Sequence, residues 1–291
     1  MVTPSVEHRV GALQRPEGIE LFLQIWQPVG AIGGVVAIVH GIGEHSGRYE
    51  FLVERLLRRG FAVAALDSRG HGHSGGRHGH IDAWSDYRED VNAFVRYVSA
   101  HFMRLPLFLY GHSLGGLIVT DFVLFYPEGL DGLIVSGHPL RPTGSAKPLL
   151  VMLARILSRY RPTFAFTLGI DDEALSRDPN VVKAYREDPL VHRKVTARWG
   201  TETLAAIDRV RARAGEIQLP LLILHGESDR INSVDGSTEL FNLVSSTDKQ
   251  LRTYVGGYHE PHNDIERETV ASAVVDWLLD RTRSIRSYLE R

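Results

Sequence analysis

Hydrophobic residues in this chain occur in short runs separated by longer amphipathic stretches. The short runs are rich in β-branched and aliphatic residues, as buried parallel strands are, and they cover residues 35–39, 61–66, 107–110, 133–135 and 221–224. Apolar positions with helical spacing lie between them, at residues 49–59, 84–102 and 114–126. This alternation predicts a doubly wound α/β fold with a mostly parallel sheet. The run 21–26 predicts an antiparallel strand at the edge of that sheet.

The alternation is interrupted once. After Gly137 the chain contains several prolines and helical patches but no convincing strand pattern, and a buried-strand pattern returns at Leu219. The simplest interpretation is a helical cap, residues 140–215, inserted into a core formed by residues 1–139 and 216–291. An insertion at this point lies above the carboxyl ends of the strands, where ligands bind in open α/β sheets.

Composition narrows the class of protein. The 291 residues are 43% hydrophobic and 23% charged, as expected for a globular chain with a large core. A formal net charge of -2 gives no positive excess for a phosphate backbone, so nucleic acid is not an expected partner. The absence of cysteine excludes disulfides, thiolate nucleophiles and cysteine-ligated metals. No apolar run is long enough to span a bilayer and residues 1–18 lack signal-peptide features, which predicts a cytoplasmic protein.

Two pentapeptides match the G-x-S-x-G pattern, residues 72–76 and 111–115. Ser113 directly follows a predicted strand and precedes a predicted helix that starts with small residues, as in a nucleophile elbow. Ser74 is separated from its strand by a loop and is followed by no helical pattern, so we interpret it as a turn serine. The pattern therefore predicts Ser113 as the nucleophile of a serine hydrolase.

An oxyanion hole needs two backbone N–H groups near the nucleophile. The N–H of Leu114 is predicted as one donor, because unpaired N–H groups and the helix dipole favour negative charge at a helix start. The second predicted donor is the N–H of Ile42. It lies in the loop 40–43, which follows the strand 35–39 and is similar to the H-G-G-G turn of esterases.

The acid and the base should follow the serine in that order along the chain. Asp229 comes just after the strand 221–224 and is favoured over Glu227, which is too near the strand end, and over Asp235, which begins the next helix. His259 follows a strand-like segment and a pair of glycines. It is favoured over His262, because His262 lies farther from the strand end.

Four further histidines, at positions 71, 73, 78 and 80, look like a metal-binding tract. The glycines between them and the absence of an acidic or cysteine partner spacing indicate a structural loop instead. We therefore expect neither a metal ion nor a cofactor.

Several stretches resemble the monoacylglycerol lipase family of α/β-hydrolases. They are residues 40–49 and 111–116 around the predicted oxyanion loop and elbow, 175–190 with its Asp-Pro-Leu sequence, and 229–259. The resemblance extends over residues 18–279 and implies an α/β-hydrolase fold with an inserted cap. It also implies roles for individual residues: a triad of Ser113, Asp229 and His259, oxyanion donors at Ile42 and Leu114, and a polar contact from Tyr185 to the glycerol head.

The resemblance implies a carboxylic-ester hydrolase that cleaves monoacylglycerols, small lipid esters, through an acyl-enzyme. A lysophospholipase, a general short- to medium-chain esterase and a binding protein on a degenerate hydrolase scaffold remain as alternatives. A dehalogenase or epoxide hydrolase is disfavoured because those enzymes have an aspartate where this chain has Ser113. The apolar stretch 149–157 of the cap is suited to line a tunnel for one acyl chain, to touch a lipid surface transiently, or to pack within the cap.

Overall fold

The computed structural model describes residues 5–144 and 148–289. Its ten strands are β1 Val6–Gln14, β2 Glu20–Pro28, β3 Gly34–Val39, β4 Phe61–Leu66, β5 Leu107–His112, β6 Gly132–Ser136, β7 Ala165–Thr167, β8 Lys194–Thr196, β9 Leu221–Gly226 and β10 Lys249–Tyr254. Eight of them form one sheet in the order β1-β2-β4-β3-β5-β6-β9-β10. The neighbours from β4 to β10 are parallel, whereas β1 and β2 run antiparallel to their neighbours.

The described residues form eight α-helices, most of which cover the two faces of this sheet, whereas two pack within the segment 140–215. The eight helices are α1 Glu50–Leu57, α2 Ser85–His101, α3 Leu114–Val123, α4 Pro148–Tyr160, α5 Pro179–Glu187, α6 Ala197–Arg213, α7 Val234–Leu243 and α8 Arg267–Leu289. Alternate residues of β3 show the division of the core: Val35, Ala37 and Val39 pack with α2, α3 and α6, whereas Val36 and Ile38 pack with α1 and α8. Both faces of the strand are buried, so its sequence is a continuous apolar run rather than an alternating one.

The structure confirms the predicted α/β-hydrolase architecture but corrects two expectations. The segment 21–26 belongs to the antiparallel strand β2, yet β2 is not the edge, because β1 pairs along its whole length from Val6–Pro28 to Gln14–Glu20. β1 is mostly exposed, so it lacks the apolar signal of a buried strand. The segment 140–215 was expected to contain no strand, but it contains β7 and β8, which pair antiparallel. Each has three residues, too few for a strand pattern.

Among the described residues, no helix is long and apolar enough to cross a membrane.

Candidate active site

Ser113 lies at the turn between β5 and α3. Its backbone has φ 50° and ψ −117°, a conformation that side-chain-bearing residues rarely adopt and that is typical of a strained functional turn. The turn also brings Gly115 against β3, where an added Cβ would lie 2.1 Å from the carbonyl oxygen of Val39. Ser113 donates its own N–H to the carbonyl of Ser136 at 2.8 Å. The glycine and this hydrogen bond explain why the sequence can hold the serine side chain above the end of the sheet.

His259 contacts both other members of the predicted triad. Its Nε2 atom lies 3.0 Å from Oγ of Ser113, and its Nδ1 atom lies 2.7 Å from Oδ2 of Asp229. The other carboxylate oxygen of Asp229 accepts the backbone N–H groups of Ile231 and Asn232, at 2.7 and 3.0 Å. The three side chains come from the ends of β5, β9 and β10, which meet at one edge of the sheet.

The charges of this cluster support proton transfer. Burial alone would raise the pKa of Asp229, but His259 and His225 outweigh it and hold the pKa below its usual range. Burial would also lower the pKa of His259, but the nearby charge of Asp229 outweighs it and raises the pKa above 6.5. An ionised aspartate next to a basic imidazole that also reaches a serine hydroxyl is the arrangement needed to activate that hydroxyl.

The loop that contains Ile42 lies next to Ser113. A Cβ added to Gly41 would be 3.3 Å from Cβ of Ser113. Gly41 donates its N–H to Oε1 of Glu44 at 2.6 Å, which holds the loop in place. Gly43 has φ 74°, and a Cβ there would lie 2.1 Å from the carbonyl oxygen of His192, so glycine is required at this position. Ile42 lines the same small cavity as Ser113.

A buried arginine joins this loop to the segment around His259. Arg48 donates from Nε to Glu44 at 3.0 Å and from its terminal nitrogen to Glu260 at 2.6 Å. All three side chains are at most 8% exposed. This cluster of Glu44, Arg48 and Glu260, which we call the Arg48 clamp, was not predicted from the sequence. A charged residue directly after His259 and an E-x-x-x-R spacing in the oxyanion loop were its only signals.

The cavity at Ser113 is small in this structure. Its volume is about 20 Å³, which is enough for roughly one water molecule. Ile170, Leu175 and Tyr185, from the segment 140–215, cover it. The cavity is therefore too small for the acyl chain of the expected tunnel, and none of the described residues of α4 lines it. An acyl chain has to displace part of this segment before it reaches Ser113.

Tyr185 is 3% exposed, and its ring lies 4.7 Å from the guanidinium carbon of Arg48. Burial raises the pKa of Tyr185 to about 12, so its phenol stays protonated at neutral pH. A protonated phenol at a cavity wall can donate a hydrogen bond to a ligand hydroxyl.

The rejected candidates lie in other settings. The hydroxyl of Ser74 accepts the N–H of Phe22 at 2.8 Å and donates to the carbonyl of Asp67, as a turn serine does. Glu227 accepts from the hydroxyl of Thr253 at 2.7 Å. Asp235 lies in the first turn of α7.

His262 stacks on the ring of Tyr49 at 4.7 Å, and neither of its ring nitrogens has a hydrogen-bond partner among the described residues. Burial lowers its pKa to about 3. His262 is thus a neutral, packed histidine in this structure.

The histidine tract is engaged in local packing. His71 makes a hydrogen bond from Nδ1 to the carbonyl of Arg69, His78 stacks on His192, and His80 contacts the hydroxyl of Thr196. Within the described part of the chain, no three His, Asp or Glu side chains are placed to hold a metal ion.

A nucleophile elbow, a serine-histidine-aspartate hydrogen-bond chain and a mostly parallel sheet together define a serine hydrolase of the α/β-hydrolase class. Comparison with known proteins agrees. The family described as "Serine aminopeptidase, S33" matches residues 30–266. The chain is 35% identical to a monoacylglycerol lipase of Mycolicibacterium smegmatis, over 90% of this chain and 94% of the relative. It is 33% identical to the human monoglyceride lipase, over 93% of this chain and 90% of the relative.

A solved structure gives the same result. The crystal structure of Paleococcus ferrophilus monoacylglycerol lipase superposes with a TM-score of 0.82 at 35% identity and covers 90% of this chain and 99% of its own. The chain belongs to the monoacylglycerol lipase family of α/β-hydrolases, as the sequence resemblance predicted.

Proposed function

We propose that this protein is a serine ester hydrolase that cleaves monoacylglycerols to a fatty acid and glycerol. The observation that carries the proposal is the hydrogen-bond chain from Ser113 through His259 to Asp229, beside a covered cavity. The relatives with the names monoacylglycerol lipase and monoglyceride lipase supply the substrate class.

In the proposed mechanism, Oγ of Ser113 attacks the ester carbonyl while its proton moves to Nε2 of His259. Asp229 orients the imidazole and stabilises its cationic form. Collapse of the tetrahedral intermediate breaks the ester bond, and His259 returns the proton to the departing glycerol oxygen. A water molecule then attacks the acyl-enzyme, again giving a proton to His259, and Ser113 recovers it as the fatty acid leaves.

The negative oxygen of each tetrahedral intermediate would accept hydrogen bonds from the backbone N–H groups of Ile42 and Leu114. The N–H of Leu114 is at the first position of α3, where no intrahelical acceptor exists. Ile42 follows Gly41, which Glu44 holds against Ser113. Such a donor is typically worth about 100- to 1,000-fold in rate.

The segment 140–215 would act as a cap on a core of residues 1–139 and 216–291. Tyr185 of this cap would donate a hydrogen bond from its phenol to a glycerol hydroxyl, because it lines the cavity and keeps its proton. The cap also carries exposed apolar side chains that would contact a lipid surface transiently: Met152, Leu153, Ile156, Tyr160, Phe164 and Phe166.

The test is the initial rate of fatty-acid release from mono-, di- and trioleoylglycerol dispersed identically, with Ser113→Ala as the control for background. We expect the highest rate on monooleoylglycerol, because the segment over Ser113 has to move for one acyl chain and would have to move farther for a lipid with two or three. Ser113→Ala should show no turnover. Comparable rates on all three lipids would contradict the proposed substrate class. Faster release from lysophosphatidylcholine or from a short nitrophenyl ester would favour the lysophospholipase or the general esterase. Absence of turnover on every ester would favour a binding protein.

A further inference from the structure

His225 lies on the side of Asp229 opposite to His259. Its Nε2 atom is 3.1 Å from Oδ2 of Asp229 and 3.0 Å from the carbonyl oxygen of Asn232. Its Nδ1 atom is 2.7 Å from the hydroxyl of Ser237 on α7. His225 and Ser237 are completely buried. The hydrogen-bond chain of the site thus continues beyond the aspartate to a second histidine and a serine.

The partners of His225 determine where its proton lies. The carboxylate and the carbonyl next to Nε2 can only accept, so Nε2 carries a hydrogen. A hydroxyl that donates to Nδ1 keeps the hydrogen on Nε2, and Ser237 is in position to do so. Oδ2 of Asp229 therefore accepts the Nδ1 hydrogen of His259, and it shares the Nε2 hydrogen of His225 with the carbonyl oxygen of Asn232.

We infer that His225 and Ser237 are positioning residues that set the basicity of His259 through Asp229. The inference rests on the proposed function of the triad. A donor on the far side of the carboxylate fixes its orientation and draws away part of its negative charge. Without that donor the carboxylate would stabilise the imidazolium form of His259 more strongly, and the pKa of His259 would rise.

Other charged and titratable groups also face this cluster. Glu44, Glu260, His112 and His262 act on His259, and His138 lies close enough to His225 for a repulsive interaction. These residues are unchanged in the variants below. A difference between the pH–rate profiles of the variants is therefore due to the change at His225 or Ser237.

The experiment measures kcat and KM on a soluble nitrophenyl ester from pH 5 to 9 for His225→Leu, His225→Gln and Ser237→Ala. His225→Leu should reduce kcat/KM at pH 7 by about 10- to 100-fold, mainly through kcat, as expected for loss of a hydrogen bond to a charged group. The acid limb of its pH–rate profile should move to higher pH by about half a unit or more. His225→Gln retains an N–H donor and should recover most of both properties. Ser237→Ala should shift the limb in the same direction by less.

Ser246→Ala is the matched control, because Ser246 is also buried but bonds only to the backbone at Asp248. It should leave the profile unchanged. An unchanged acid limb in both His225→Leu and Ser237→Ala overturns the inference, and so does an equal loss in the leucine and glutamine variants. If His225→Leu does not fold, Ser237→Ala decides the question by the same shift. Ser113→Ala is assayed in parallel: turnover by that variant refutes the proposed function itself and not only this addition to it.

Discussion

Removal of the arginine from the Arg48 clamp should destabilise the protein strongly. Arg48→Met leaves the carboxylates of Glu44 and Glu260 buried, 4% and 3% exposed, without their cationic partner. Glu44 keeps the N–H of Gly41 and the hydroxyl of Tyr49, but these donors are neutral. Loss of one partner from a buried ion pair typically costs about 3–5 kcal/mol. At roughly 2 °C per kcal/mol for a chain of this size, Tm should fall by about 6–10 °C.

The loss should also depend on pH. Burial acts to raise the pKa of Glu44, and Arg48 is the largest opposing influence, so the native pKa lies below its ordinary value. In Arg48→Met that influence is gone and the folded-state pKa rises. Folded-state protonation then relieves the buried charge at low pH, and the destabilisation grows as pH increases through the raised pKa. The difference in Tm from the wild type should be smaller at pH 5 than at pH 8.

Thermal unfolding followed by circular dichroism measures both effects. Arg55→Met is the matched control, because Arg55 also pairs with two glutamates but both remain largely in water. Its Tm should change far less. A fall in Tm for Arg48→Met no larger than for Arg55→Met would refute the argument that the clamp holds the two loops together.

Three further predictions concern the site. His259→Ala should reduce turnover by several orders of magnitude, whereas His262→Ala should mainly lower Tm, because it opens a cavity beside Tyr49. Equal losses of kcat in the two variants would contradict the assignment of His259 as the base. The kcat/KM of the wild type should rise with pH through an apparent pKa above 6.5, because His259 must be unprotonated to act as the base and Asp229 raises its pKa. Asp229→Asn should move this rise to lower pH, and a rise that stays in place would contradict the pairing of Asp229 with His259. Ser74→Ala should keep most activity in a rate assay but lose about 1–3 kcal/mol of stability, since the N–H of Phe22 loses its acceptor. A loss of activity like that of Ser113→Ala would contradict the assignment of Ser113, rather than Ser74, as the nucleophile.

The sequence was informative where one local pattern determines one feature. The buried strands are continuous apolar runs, so β4 begins and ends as predicted, and the elbow around Ser113 has the glycines that its close contact with β3 requires. β1 escaped prediction because its residues are exposed and its pairing with β2 is a tertiary contact.

Long-range contacts account for the features of the site that the sequence did not reveal. Arg48 and Glu260 are 212 positions apart, and their interaction depends on how the turn before α1 and the loop after β10 meet. The contact between His225 and Asp229 is local in sequence, but a histidine before a glycine at a strand end is not a pattern that predicts such a contact. The small size of the cavity is also a result of packing, because the fold of the segment 140–215 brings Tyr185 to the cavity that Ser113 lines.

In the proposed mechanism, Ser113 is the residue that forms the acyl-enzyme. The direct measurement is labelling with a fluorophosphonate, which modifies activated serines, followed by peptide mapping by mass spectrometry. We expect one adduct per chain, on the peptide that contains Ser113. Monooleoylglycerol should slow the labelling. The adduct should be absent in Ser113→Ala and strongly reduced in His259→Ala. An adduct on Ser74 or another residue, or undiminished ester hydrolysis by Ser113→Ala, would contradict the proposed mechanism.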